Sequence, residues 1–203
     1  MKRFRLYPVI TLCFLVFFFN VCACQAQSRD ELLQPQKLMD AIGVKPGMII
    51  GEAGAGEGYF TFKLARRVGE TGRVYANDIV ERVFKVIERR CQRDGITNIT
   101  TVLGEVEDPL FPTAELDMVF MVAAFHDFER PVKWLKNAKR YMKPDATLVI
   151  VERDPERWGQ GGYHFMTREE ILNTVAKSGL KLVRVDTFLS IHNIYIFKYG
   201  EQE

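Results

Sequence analysis

Residues 49–69 read IIGEAGAGEGYFTFKLARRVG, with Gly54, Gly56 and Gly58 at alternate positions between an apolar segment and an amphipathic run. Glycine has no Cβ to hold a ligand off the backbone, and a strand turning through glycines into a helix presents unpaired N–H groups at the helix start. That combination suits a nucleotide-like ligand. Spacing separates two classes of such ligand. The dinucleotide fingerprint is G-x-G-x-x-G, whereas these glycines form G-x-G-x-G and Tyr59 stands where the last fingerprint glycine would be. Glu52, two residues ahead of Gly54, adds a carboxylate that repels a pyrophosphate and suits an ammonium group.

The elements that must position these residues alternate along the chain. Apolar runs predict strands over 47–52, 73–78, 100–103, 116–122 and 147–152. Helical spacing puts Phe60, Leu64 and Val68 on one face of a helix over 59–68. The same spacing gives Val83, Val86, Ile87 and Arg90 one face of a helix over 81–93, and a further helix covers 131–142. Such βαβα order implies a parallel sheet covered on both sides. Ahead of it, Ser28 to Glu31 has capping-box spacing, and Pro35 opens a short helix that closes at Gly43. At the far end a helix capped by Thr167 and Glu170 precedes strands over 181–189 and 193–199, which form a hairpin at the sheet edge.

Six segments in order carry a resemblance to a known family: MIIGEAGAGEGYFT, GRVYANDI, TVLGEVEDPLFP, LDMVFMVAAFHDF, YMKPDATLVIVERD and HFMTREEILNTVAKSGL. Over residues 35–199 the chain resembles the class I S-adenosylmethionine-dependent methyltransferases. The resemblance implies a Rossmann-like α/β fold in a domain over 35–200. Its mostly parallel seven-stranded sheet carries a C-terminal antiparallel hairpin and helices on both faces. It further implies S-adenosyl-L-methionine as cofactor, with Glu52 facing the methionyl amino group and Ala53, Gly54, Gly56 and Gly58 wrapping the methionyl and ribose parts. Asp78 would accept both ribose hydroxyls, Ile79 would pack on the adenine face, and Glu105 with the Val106 backbone would lie at the adenine edge.

His126 and Asp127 follow the fourth strand, where the resemblance places residues facing the acceptor. A histidine there is suited to taking a proton from an oxygen or carbon acceptor, because its pKa lies near neutrality. Plainer readings stand beside these. Asp78 also reads as a helix cap, Glu105 as a solvated acid in GEVED, and FHDF as a packing and capping feature. Tyr163 and His164, after GQGG, either line the acceptor side or belong to an exposed loop. KPDAT stands where the family has a glycine-rich turn and reads as a structural turn.

Residues 1–23 carry Lys2, Arg3 and Arg5 ahead of an uncharged apolar stretch, the layout of an export signal. The apolar run over 6–19 is shorter than the ~20 residues of a spanning helix. Val21-Cys22-Ala23-Cys24 resembles a bacterial lipobox, so a lipoprotein signal is expected, with simple cleavage near Ala23 or Ala26 and an uncleaved anchor as the other readings. All three make the protein exported, either periplasmic or an envelope-anchored lipoprotein held to the membrane through a lipidated Cys24, with 24–34 as a linker or helix. Without the leader the formal net charge falls from +2 to −1, which implies no nucleic-acid partner. Cys91 alone belongs to the globular part, so no internal disulfide and no metal cluster is expected. Three functions follow. The first is a methyltransferase acting on a small-molecule or lipid-like acceptor. The second is an exported nucleoside-binding protein without turnover, and the third, disfavoured by the glycine spacing, is an NAD-dependent oxidoreductase.

Overall fold

The computed structural model of the chain describes residues 29–158 and 165–200. The leader with Cys22 and Cys24, and Tyr163 and His164, therefore lie outside the described residues. Residues 29–33 form a helical segment, after which the Gln34 N–H donates to the Asp30 carbonyl at 2.8 Å.

The unit from Pro35 onward begins with α1 (Pro35–Ala41), β1 (Ile49–Ala53), α2 (Thr61–Val68), β2 (Arg73–Asp78), α3 (Phe84–Asp94) and β3 (Ile99–Leu103). It continues with β4 (Leu116–Val122), α4 (Pro131–Ala138), β5 (Met142–Arg153), α5 (Pro155–Trp158), α6 (Arg168–Ala176), β6 (Leu180–Asp186) and β7 (His192–Tyr199). The seven strands form one sheet in the order β3-β2-β1-β4-β5-β7-β6. All pairings from β3 to β5 are parallel, while β7 runs antiparallel to both β5 and β6. The fold is the Rossmann-like α/β fold expected, with the hairpin at the edge.

Burial explains why these residues choose these elements. The central strands β1, β4 and β5 read as apolar runs because both faces of a parallel sheet are covered, and Ile50, Val119, Phe120, Leu148 and Ile150 are fully buried. Trp134 and Leu135 from α4 and Ile171 and Val175 from α6 join one core, while Phe84 and Ile87 from α3 join another with Phe62 of α2. Phe60, Leu64 and Val68 are buried together as their spacing predicts. Thr167 and Glu170 close a reciprocal capping box at the start of α6.

Two expectations are corrected. Val86 does not share the buried face of α3 with Ile87 but is exposed, since adjacent helical residues point about 100° apart and the core-facing stripe runs through Phe84 and Ile87 to the partly buried Cys91. KPDAT is no turn ahead of a strand. β5 already starts at Met142 opposite Leu116, and the next pair is Met118 with Thr147, so the intervening residues bulge inside the ladder. Lys143 Nζ pins that bulge to Asp117 Oδ1 at 2.6 Å.

Candidate active site

Strand order reverses between β1 and β4, and ligands of open α/β sheets bind in the crevice at the carboxyl ends of strands at such a point. A cleft of about 310 Å³ opens there. This is within the range of small-molecule sites, roughly 300 to 1,000 Å³. Gly54, Asp78, Ile79, Glu105, Val106 and Asp127 all line it, so six of the residues singled out in the sequence converge. Glu52, Ala53, Gly56, Gly58 and His126 do not line it.

The turn after β1 forms one wall. Gly54 has φ +71°, and a Cβ there would lie 2.5 Å from the Ala124 Cβ at the end of β4, so backbone conformation and contact both demand glycine. Gly56, φ +53°, faces open space, and only its backbone conformation is special. Gly58 packs behind the turn against Phe62 and Ile87. Ala53 is fully buried in the core, leaving only its backbone near the turn. Glu52 is 4% exposed, and its Oε2 accepts the hydroxyl hydrogen bond of Thr61, the first residue of α2, at 2.5 Å.

Asp78 ends β2 and faces the turn. Its Oδ2 accepts the Gly56 N–H and its Oδ1 accepts the Val80 N–H, each at 3.0 Å. A carboxylate oxygen has about two acceptor positions, so one remains on each oxygen, side by side, as a vicinal diol requires. Ile79 is 56% exposed, and Val106 is exposed too, so two apolar side chains line the cleft beside the acids. Glu105 sits in a tight turn, exchanging backbone hydrogen bonds with Asp108 at 2.7 and 3.2 Å.

A second cluster lies where β4 and β5 end. Glu152, fully buried near the end of β5, accepts the Phe125 N–H through Oε1 at 2.8 Å and meets His126 Nδ1 through Oε2 at 2.9 Å. On the other side of the ring, His126 Nε2 is 3.5 Å from Asp127 Oδ2. The His126 side chain is 6% exposed, whereas that of Asp127 is open to solvent and lines the cleft. The hydrogen bond to Glu152 is the largest influence holding the His126 pKa above its ordinary value, with the charges of Glu152 and Asp127 adding to it. Burial and the Arg153 charge act the other way. The Phe165 ring covers the imidazole edge-on with centroids 5.5 Å apart.

Sequence reasoning missed Asn77, Ala123, Ala124, Glu129 and Trp134 in the cleft wall and Glu152 behind it. Glu152 had a legible signal, a carboxylate closing the apolar run TLVIV. Ala123 had none, since its φ of +49° is imposed at a strand end by the fold rather than by its residue type.

The profile of the family described as "Methyltransferase domain" matches residues 44–194. The chain belongs to the class I S-adenosylmethionine-dependent methyltransferases. S-adenosylmethionine is the cofactor of that family. Among curated proteins, the ubiquinone/menaquinone biosynthesis C-methyltransferase of Hydrogenovibrio crunogenus is 30% identical over 111 residues, 54% of this chain and 44% of that one. The nocamycin O-methyltransferase of Saccharothrix syringae is 31% identical over 125 residues, 59% of this chain and 44% of that one. The match thus spans about half the length of these relatives. Among solved structures, a S-adenosylmethionine-dependent methyltransferase from Aquifex aeolicus superposes with TM-score 0.80 at 27% identity, covering 85% of this chain and 93% of that chain. The glycopeptide N-methyltransferase MtfA, solved with S-adenosyl-L-homocysteine, shares the fold of this methyltransferase at TM-score 0.68 and 10% identity, over 84% of this chain and 88% of its own.

Proposed function

We propose that this methyltransferase holds S-adenosylmethionine in the cleft and transfers its methyl group to a small-molecule or lipid-like acceptor. The observation that carries the reading is charge. Asp78, Glu105, Asp127 and Glu129 line the cleft, and no lysine or arginine among the described residues does. Such a wall attracts a sulfonium nucleoside with an ammonium group and repels the pyrophosphate of a dinucleotide.

Bound there, the cofactor supplies a methyl group already activated by the sulfonium charge, and this chain's residues align it and exclude water. In this reading Asp78 takes the ribose diol, Ile79 and Val106 flank the adenine, and Glu105 meets its edge. Gly54, Gly56 and Gly58 with the Ala53 backbone carry the methionyl part over Glu52. Asp127, backed by His126, faces the acceptor. A quinone-like acceptor draws support from the likeness to a ubiquinone/menaquinone C-methyltransferase. The same proposal includes export by the leader over 1–23, a methyltransferase domain over 35–200 and membrane association through a lipidated Cys24, with no nucleic-acid partner.

A binding protein without turnover is the second reading, and the burial of His126 favours it. Incubating the full chain with tritium-methyl S-adenosylmethionine and extract fractions separates the two. Label in an extract component supports transfer. Tight binding with no label over a broad acceptor screen supports the binder, and no binding at all removes both.

A further inference from the structure

Asn77 bonds both to the glycine turn, through its backbone, and to the loop after β3, through its side chain. Its backbone carbonyl accepts the Ala55 N–H at 3.0 Å. Its side chain is buried, and Nδ2 donates to the Val102 carbonyl at 3.2 Å and the Pro109 carbonyl at 2.7 Å. The two acceptors stand on either side of residues 103–108, the stretch that carries Glu105 and Val106, so a single amide closes the base of that loop. Two carbonyl partners also fix which end of the amide is nitrogen, since a flipped amide would set oxygen against oxygen.

The loop is shaped around this amide. A Cβ at Gly104 would lie 2.6 Å from Asn77 Nδ2, so the backbone passes where a side chain would collide. The Gly104 N–H then reaches back to the Asp78 carbonyl at 3.0 Å, joining the loop to the diol-facing strand end. Outer bonds hold the far side: Asn137 Nδ2 donates to the Glu107 carbonyl at 2.9 Å, and Tyr141 donates its hydroxyl hydrogen to Asp108 at 2.8 Å. Those bonds fasten residues 107–108 and, through the paired backbone bonds of Asp108 with Glu105, hold the loop from outside, while Asn77 closes its base next to Asp78.

We propose that Asn77 is a positioning residue for base recognition: by closing the 103–108 loop it fixes the wall that tells adenine from other purines. The proposal rests on the cofactor reading of this cleft. Loss of the amide frees two buried carbonyls and lets the loop drift, so contacts to the base edge weaken while the Asp78 carboxylate keeps the Gly56 and Val80 N–H groups.

The test is calorimetric, on the full chain, with S-adenosylhomocysteine and its deaminated analogue S-inosylhomocysteine. The wild type is expected to favour the adenosyl compound by about tenfold or more, the weight of one well-made hydrogen bond. In Asn77→Ala the preference should fall to within about twofold, because loop misplacement affects the base selectively. General destabilisation would weaken both ligands equally and leave their ratio intact. Asn77→Ser, whose hydroxyl is too short to span the two carbonyls, serves if the alanine variant does not fold, and its ratio should fall likewise. A wild type without selectivity, or variants that keep the full ratio, overturn the proposal alone. A wild type that binds neither compound overturns the cofactor reading beneath it.

Discussion

Replacing Asp78 tests the cofactor site at its best-defined point. Both carboxylate oxygens are held by backbone N–H groups at 3.0 Å, so the group is oriented before any ligand arrives. In the proposed cofactor pose the two remaining acceptor positions take the two ribose hydroxyls. Hydrogen bonds to a charged partner contribute about 1.5 to 3 kcal/mol each, and desolvation of carboxylate and diol offsets part of the pair. A net loss of about 1.5 to 3 kcal/mol follows for Asp78→Ala, a 10- to 150-fold rise in the dissociation constant of S-adenosylhomocysteine. The substitution also strips the Gly56 and Val80 N–H groups of their acceptor, which costs about 1 kcal/mol of folding stability. Calorimetry with the 2′-deoxy analogue separates the two effects. That analogue should bind the wild type more weakly, and Asp78→Ala should then discriminate far less between the two ligands. A folded Asp78→Ala protein that binds S-adenosylhomocysteine within about twofold of wild type would refute the assignment.

The glycine turn gives a ranking: Gly54→Ala meets both a left-handed φ and the Ala124 Cβ, whereas Gly56→Ala meets only the φ. Thermal unfolding should show Gly54→Ala losing about 2 to 4 kcal/mol and Gly56→Ala about 1, and an equal loss would contradict the packing argument. Glu152→Gln keeps an acceptor for the Phe125 N–H but removes the charge beside His126. The His126 pKa, read by NMR titration, should fall, and an unmoved value would show that Glu152 does not set it. In the wild type this raised pKa makes a stabilising contribution that is full below about pH 6.5 and fades as pH rises through the folded value. His192 has the opposite sign. Burial first, then the charges of Arg153 and Arg157, push it down to about 4, so stability falls as pH drops from about 6.5 toward 4, by about 3 kcal/mol in all. Its Nδ1 is buried with no hydrogen-bond partner among the described residues, and His192→Phe should flatten that part of the pH-stability curve. A slope that survives would place its origin elsewhere.

The elements were legible because their burial is periodic. β2 and β4 match their predicted bounds, and the face of α2 follows from the spacing of Phe60, Leu64 and Val68. The convergence of Gly54 with Asp78 was legible too, since successive parallel strands end on one side of the sheet. What escaped was whatever depends on side-chain partners distant in the chain. Asn77 reads as an ordinary residue before an acid until its amide is seen to meet Val102 and Pro109. Glu152 and His126 are 26 positions apart, and nothing local to either marks the pair. The bulge in β5 escaped for a related reason, because Pro144 and Asp145 signal a turn and only the register against β4 makes it an interruption of a strand.

The same burial gives a reason for a fold shared with dinucleotide-binding proteins to favour a cation in the proposed site. A helix start normally attracts phosphate, by about 0.3 to 1 kcal/mol at the surface and up to ~2 when partly buried. At the start of α2, Thr61 gives its hydroxyl hydrogen to Glu52, a buried carboxylate of the preceding strand. The positive end of that helix already has a negative partner supplied by the chain. A phosphate about 4 Å from that carboxylate would meet a repulsion near ~4 kcal/mol at a surface-like dielectric, more than the helix end returns. An ammonium or sulfonium meets the reverse. Asp78, Glu105, Asp127 and Glu129 form the cleft wall itself, so the sign of the site is set by carboxylates at and just after the strand ends rather than by the glycines, which provide only the room to approach.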